Sequence, residues 1–337
     1  MHTYLSSLSQ GCSLELFNDG DLIFQSRGKW LHPLFEAEDF IRKSGRQYGN
    51  LTLHDSISGL AAAFLTIRLS VRAVNVDMIS SLALDLYRRY GVDVHYTKLV
   101  DRIKCITETM IKPSMSVEEA YRLLRKKADL TSGISLKIED LDFSYGSNKI
   151  LDGFSLYLEK GDAMILEGDN GCGKSTLLRL ILGLEKPSAG RILYDGKEER
   201  PPVGYIKQFS DKQDFPFTVR EVVSLSLPSG RQDREGEIEV ALRRCGAYHL
   251  IDRQFFSLSG GEMAKVNLAR VLASRAKLLL FDEPSASLDR EARENFAAIM
   301  TSLSVTEMPT MLIVNHDKAL SDLLPWPRRR LEGGVLV

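Results

Sequence analysis

An α/β protein of two domains is what this sequence predicts, and three observations predict it. Apolar segments of strand and helix length alternate along the chain. A glycine-rich loop, EGDNGCGKST at residues 167–176, stands between an apolar strand, AMILE, and a helix, STLLRLILGL. The 337 residues are enough for two separate cores, and DLTSG, residues 129–133, reads as the joint between them.

In the first domain the turn NDGD leads into LIFQS, which alternates as a strand does. HDSISGLAAAFLTIRL, residues 54–69, is expected to be a helix with Asp55 or Ser56 as its N-cap. VRAVNVD reads as a strand, MISSLALDLYRRY as a helix closed by Gly91, and VDVHYTKLV as a further strand. SVEEAYRLLRKKA opens on Ser116 with Glu119 three residues on, which is a capping box. Residues 1–130 therefore form a small α/β domain. Beyond the joint, ISLKIEDLDFSYG and GFSLYLEKGD read as strands and turns, and AMILE runs directly into the glycine-rich loop.

Charge and composition narrow the function classes. Residues 1–133 carry 17 basic and 15 acidic residues, and the remainder 27 and 30. Neither part has the basic excess of a dedicated nucleic-acid binder, so nucleic acid is not an expected partner. Cys12, Cys105, Cys172 and Cys245 form no CxxC pair, which argues against a zinc ribbon or a disulfide framework and fits a reducing cytoplasm. The N-terminus lacks a signal-peptide pattern, and the longest apolar stretch, SGLAAAFLTIRLSV, is short and contains Arg68. A role at a membrane would need another chain to span it.

The loop matches G-x-x-x-x-G-K-[ST] with Gly168, Gly173, Lys174 and Ser175. Its glycines let backbone N–H groups close around phosphate oxygens, with Asp169, Asn170, Gly171 and Cys172 between them and Thr176 on the helix that follows. Lys174 would reach the β- and γ-phosphates, and the Ser175 hydroxyl would ligate Mg²⁺. Kinases, GTPases and ATPases all cradle phosphates this way. Downstream, KLLLFDEP (277–284) is a buried strand ending in two carboxylates: Asp282, placed for the Mg²⁺ shell, and Glu283, placed to polarise an attacking water. LSGGE (258–262) sets Ser259, Gly260 and Gly261 at a helix start, a second anion nest that one nucleotide would not need from the same chain.

Taken in order, Tyr145, the phosphate loop, Gln208 closing VGYIKQ, LSGGE, the FDE strand, SASLD ending in Asp289, and IVNHD with His316 make residues 134–337 resemble an ATP-binding cassette (ABC) ATPase. The resemblance implies a P-loop NTPase fold with a helical subdomain at about 210–265, and ATP and Mg²⁺ as cofactors. Tyr145 would stack on adenine, Gln208 would sense Mg²⁺ and the γ-phosphate, and His316 would bridge the γ-phosphate to Glu283 and Asp289. Cassettes of this family pair head to tail, so Ser259 and Gly261 of one would face the nucleotide held by Lys174 of another, in a homodimer or a heterodimer. FPFTVREVVSLSL, residues 215–227, resembles the segment of importer-type cassettes that faces the permease. The expected role is the ATP-hydrolysing subunit of a transporter, peripheral on the cytoplasmic face of the membrane and paired with a separate permease. The alternative is a soluble, non-transport ABC ATPase acting on protein or nucleic acid.

SRGKWLHPLFE, HDSISGLAAAFL and MISSLALDLYRRYGVDV make residues 10–128 resemble an uncharacterised bacterial family of cytidine-deaminase-like fold. Zinc deaminases hold their metal with H-x-E and P-C-x-x-C. The corresponding helices here are read as HDSISGLAAA and PSMSVEEA, so zinc is not expected. Asp55, Ser56 and Gly59 are either pocket lining or the cap of a core helix; Cys105 and Glu108 are polar lining or a reactive thiol, or else Cys105 is a buried structural cysteine. The domain is expected to sense a ligand or dock a partner.

Overall fold

The structure, a computed structural model, describes residues 3–44, 46–103, 105–207, 216–230, 233–285 and 288–337, without the side chains of residues 106 and 108. It divides into two compact units, Met1–Leu130 and Thr131–Val337.

The first unit opens on a hairpin of β1 (Leu14–Asn18) and β2 (Asp21–Ser26). Its turn residues Asp19 and Gly20 both take positive φ, 52° and 89°, which a tight hairpin turn requires. There follow α1 (His32–Ser44), β3 (Leu51–Ser58), α2 (Leu60–Arg68), β4 (Ala73–Ser80), α3 (Ser81–Arg89), β5 (Asp93–Val100), α4 (Ile106–Met110) and α5 (Val117–Lys127). The sheet runs β2-β1-β3-β4-β5; β1 is antiparallel to both neighbours, and β3, β4 and β5 are parallel. The Ser116–Glu119 capping box forms as the spacing predicts.

One reading of the sequence is overturned here. HDSIS is the end of strand β3, and neither Asp55 nor Ser56 caps a helix; α2 starts after Gly59, which has no side chain to cap it. Leu51 and Leu53 are buried, and the strand is laddered to β1 on one side and β4 on the other. Pairing on two sides outweighs the local cap signal. Strand β1 and helix α1 were not legible beforehand: LELFN is a five-residue element, and α1 starts at His-Pro, with no capping side chain.

The second unit begins with β6 (Leu136–Tyr145), β7 (Asn148–Leu158) and β8 (Ala163–Glu167), then α6 (Lys174–Ile181), β9 (Ala189–Tyr194) and β10 (Val203–Ile206). Helices α7 (Val219–Ser224) and α8 (Arg234–Arg244) follow, then two short 3-10 turns, α9 (Gly260–Ala273), β11 (Leu278–Asp282), α10 (Arg290–Thr306), β12 (Thr310–Asn315), α11 (Lys318–Ser321), β13 (Arg328–Glu332) and β14 (Val335–Leu336). One sheet has the order β10-β11-β12-β8-β13-β14, parallel except for its last pair, and a second has β7-β6-β9. Period-two alternation splits the larger sheet between two cores. Ile165, Leu279, Phe281, Met311 and Ile313 pack with α7, α8, α9 and α10. Met164, Leu166, Leu278, Leu280, Leu312 and Val314 pack with α6 and the β6–β7 sheet. Among the described residues no helix is long and apolar enough to cross a membrane.

Candidate functional site

Because β11, β12 and β8 are adjacent and parallel, their carboxyl ends meet at one edge, where open α/β sheets bind ligands. β8 feeds the loop at 168–173, β11 ends at Asp282 beside Glu283, and β12 ends at Asn315 beside His316.

The loop needs glycine at particular positions. A Cβ on Gly168 would sit 2.6 Å from Cys172 Sγ and 2.8 Å from the Leu331 carbonyl oxygen. Gly171 and Gly173 take φ of 82° and 106°, the left-handed region open to glycine, and Gly173 starts α6 with no side chain on its first-turn N–H groups. Gly171, Asn170 and Ser175 are exposed, while Cys172 and Thr176 are half-buried. Lys174, buried, crosses back over the loop and donates to the carbonyls of Gly168 (2.8 Å) and Asp169 (2.9 Å). Its Nζ lies 4.0 Å from Glu283 Oε1.

Around that ammonium stand the strand-end groups. Ser175 Oγ donates to Asp282 Oδ1 at 3.1 Å, and Tyr205 OH donates to Oδ2 at 3.3 Å. Burial raises the Asp282 carboxyl above its ordinary pKa, against the lowering effect of those two hydrogen bonds. Burial, with the Asp282 charge behind it, likewise pushes the Tyr205 phenol up. A hydroxyl and a carboxylate in contact are hard oxygen donors of the kind Mg²⁺ takes, so this pair fits the metal. Glu283 is buried, and its backbone sits at φ 47°, an uncommon conformation for glutamate. His316 Nδ1 is 2.8 Å from Glu283 Oε1.

The structure thus brings Gly168, Lys174, Ser175, Asp282, Glu283 and His316 together. Tyr145 stands at the end of β6, 46% exposed, its ring perpendicular to that of Phe143 and its hydroxyl donating to Glu185 at 3.3 Å. Asp289 caps α10 by accepting from Ala292 N at 2.8 Å. Ser259 caps α9, with Gly260 and Gly261 in its first turn. Gln208 lies outside the described residues.

Three contributors escaped the sequence reading. Tyr205 on β10 sits inside VGYIKQ, and its partner at the site, Asp282, is 77 positions away. Arg330 on β13 donates from Nη2 to both carboxylate oxygens of Asp169 in the loop, at 3.0 and 3.1 Å. Arg270 of α9 donates to the Tyr205 carbonyl at 2.8 Å. Nothing in the sequence marks either arginine, because each partner is remote in the chain.

Two similarities decide the family. A family profile described as ABC transporter matches residues 151–286. An aliphatic sulfonates import ATP-binding protein of Rhodopseudomonas palustris is 31% identical over 261 residues, covering 68% of this chain and 92% of that protein. The chain belongs to the ABC transporter family. It is an ABC ATPase, an ATP-binding and ATP-hydrolysing transporter subunit. The cassette is also 34% identical over 197 residues to a zinc uptake system ATP-binding protein of Listeria innocua, covering 54% of this chain and 76% of that protein. Among solved structures it is similar to cbiO1 of Clostridium perfringens, part of an ABC transporter complex (29% identity, TM-score 0.53, 60% of this chain and 86% of that one). A putative metal-chelate type ABC transporter in an inward-facing conformation matches at 27% identity and TM-score 0.54, over 61% of this chain and 82% of that one. Residues 8–128 match a second profile, a domain of unknown function, DUF1893.

Proposed function

We propose that this chain is the energising subunit of a solute importer, which binds MgATP, pairs head to tail with a second cassette, and drives a separate permease from the cytoplasmic face of the membrane. The observation that carries the proposal is the meeting of Lys174, the Ser175–Asp282 pair and the Glu283–His316 pair at the carboxyl ends of three adjacent strands. The loop N–H groups and Lys174 hold the β- and γ-phosphates, and Tyr145 stacks on the adenine. Ser175 and Asp282, with Gln208, hold Mg²⁺, which neutralises phosphate charge when bound. Glu283 accepts a proton from the water whose oxygen bonds to the γ-phosphorus, as the bond from that phosphorus to the bridging oxygen of ADP breaks. His316 holds the Glu283 carboxylate in place. Ser259, Gly260, Gly261 and Asp289 of one cassette face the nucleotide of the other.

The relatives named above are described by sulfonate import and zinc uptake, and another, from Escherichia coli, by putrescine transport. One cassette design thus serves chemically different cargoes, and we assign the choice of solute to the permease. Residues 1–130 we read as a cytidine-deaminase-like domain that senses a ligand or partner and modulates the cassette. Support comes from the five-stranded sheet, in which parallel β3 and β4 each feed a helix. Of the two helices set against the metal-binding motifs, α2 opens after Ser58-Gly59 and α5 on Ser116, and neither opens on the His or Cys of those motifs.

Affinity purification of the full chain from membranes tests the transport reading. A stoichiometric multispanning partner is the expected result; a wholly soluble ATPase with no such partner would support the non-transport alternative instead. For the first domain, removal of residues 1–130 should change ATPase activity or its response to metabolites, and no change in either, or in complex formation, would sink the modulating role.

A further inference from the structure

We propose that Asp317 and Arg293 are positioning residues for hydrolysis: a latch that holds the His316 turn against Glu283 and ties it to the segment entering Asp289. This inference rests on the ATPase reading of the same site.

The latch is built on the two oxygens of one carboxylate. Asp317 Oδ1 accepts from Ala319 N at 2.9 Å, which satisfies the start of the four-residue α11. That task uses one oxygen only. Oδ2 accepts from Ser285 Oγ at 3.1 Å and lies 3.3 Å from Arg293 Nε. Ser285 is buried two residues after Glu283, on the far side of Pro284. Arg293, in the first turn of α10, also donates to the Leu288 carbonyl at 3.2 Å, one residue before Asp289. The turn carrying Asp317 is braced separately: Asn315, buried, donates to the Asp317 carbonyl at 2.7 Å and accepts from its N–H at 3.1 Å.

Asp317 thus joins three segments, those that follow β11, precede α10 and follow β12. Each carries a residue of the proposed hydrolytic site: Glu283, Asp289 and His316. Glu283, Ser285, Arg293, His316, Asp317 and Lys318 line one cleft of about 410 Å³. An ion pair between partly buried side chains is a stronger constraint than an exposed one; Arg293 and Asp317 are both about three-quarters buried (23% and 28% exposed), and they are held by charge proximity, since Arg293 Nε makes no hydrogen bond among the described residues. Neither touches Lys174 or the loop that cradles phosphate, so the latch acts on the geometry of attack and not on nucleotide capture.

The test uses the full-length chain, reading steady-state ATPase activity beside MgATP affinity from a fluorescent analogue. Asp317→Asn keeps a capping oxygen and loses the charge. It should lower kcat about 10- to 100-fold, with affinity changed less than about twofold, the signature of misplaced reacting groups. Arg293→Ala should lower kcat similarly, Arg293→Lys should recover part of it, and the double variant should be no worse than Asp317→Asn alone. Should Asp317→Asn fold poorly, the Arg293 pair of variants reads out the same link. Unchanged kcat, affinity lost in parallel with kcat, or losses that multiply in the double variant would each overturn the latch. A wild-type chain that hydrolyses no ATP would sink the underlying ATPase reading; an active wild type with undisturbed variants sinks the latch alone.

Discussion

Helices α6 and α9 both open on glycine-rich turns, yet they dispose of their first-turn N–H groups in opposite ways. At α6, left-handed Gly173 offers no side chain to accept from the first-turn N–H groups. At α9, Ser259 Oγ accepts from Glu262 N at 3.3 Å, while Glu262 Oε2 takes both Ser259 N (2.8 Å) and Ser259 Oγ (2.9 Å). Those bonds hold the Glu262 carboxyl below its usual pKa. The first helix end is ready for phosphate within a single chain. At the second, side chains already accept from the Ser259 and Glu262 N–H groups, so a phosphate that engages the Ser259 hydroxyl must displace Glu262 from it. On the proposed function, this difference predicts an order of events: capture at α6, then engagement at α9.

The largest effect should come from Glu283→Gln, which lowers turnover by about 10²- to 10⁴-fold while ATP binding survives. With ATP present, size-exclusion chromatography should then show accumulated dimer, the state in which both helix ends are engaged. Normal turnover would remove Glu283 from its role. Next, Lys174→Ala should weaken nucleotide affinity by roughly 10- to 100-fold, as loss of a charge-assisted contact predicts. If the affinity of this variant stayed at the wild-type value, α6 would not be the capturing end. Ser259→Ala should leave single-chain affinity intact and weaken ATP-driven pairing. Through the lost cap it should also cost about 1 kcal/mol of stability. Equal losses of capture in Lys174→Ala and Ser259→Ala would erase the distinction between the two ends.

The smallest effect is in the first unit. Burial raises the Asp55 carboxyl from 3.8 to about 7, opposed by the hydrogen bond from Ile57 N and reinforced by the Asp77 charge. Between those two values the folded state keeps a proton that the unfolded chain has lost. The penalty on the fold therefore grows as pH rises through this window and is complete above about 7. Asp55→Asn should raise the melting temperature at pH 8 and change it little at pH 4, by calorimetry. A gain that is equal at both pH values would mean that Asp55 is not held protonated.

Legibility in the sequence followed how local each determinant is. The phosphate loop, the FDE strand and the LSGGE turn are written in consecutive residues, and each lies at the strand end or helix start where its pattern places it. The capping box at Ser116 is equally local and formed as read. HDSIS failed because its conformation is decided by β1 and β4, which pair with it from far along the chain. Tyr205, Arg330 and Arg293 went unseen for the same reason. Their partners at the site are 77, 161 and 24 positions away, and no spacing rule reaches that far.

Gly133 has a further consequence. A Cβ there would fall 2.5 Å from Thr310 Oγ1 and 2.6 Å from Gly161 N, and its own N–H donates to the Met308 carbonyl at 3.0 Å. Ser132 N donates to the Glu307 carbonyl, also at 3.0 Å. These residues look like a connector, but they are stitched into the entrance of β12, the strand that delivers His316. Severing the chain after Leu130 leaves that seam whole, whereas severing it at Ile134 would unpick the start of the strand on which the histidine stands.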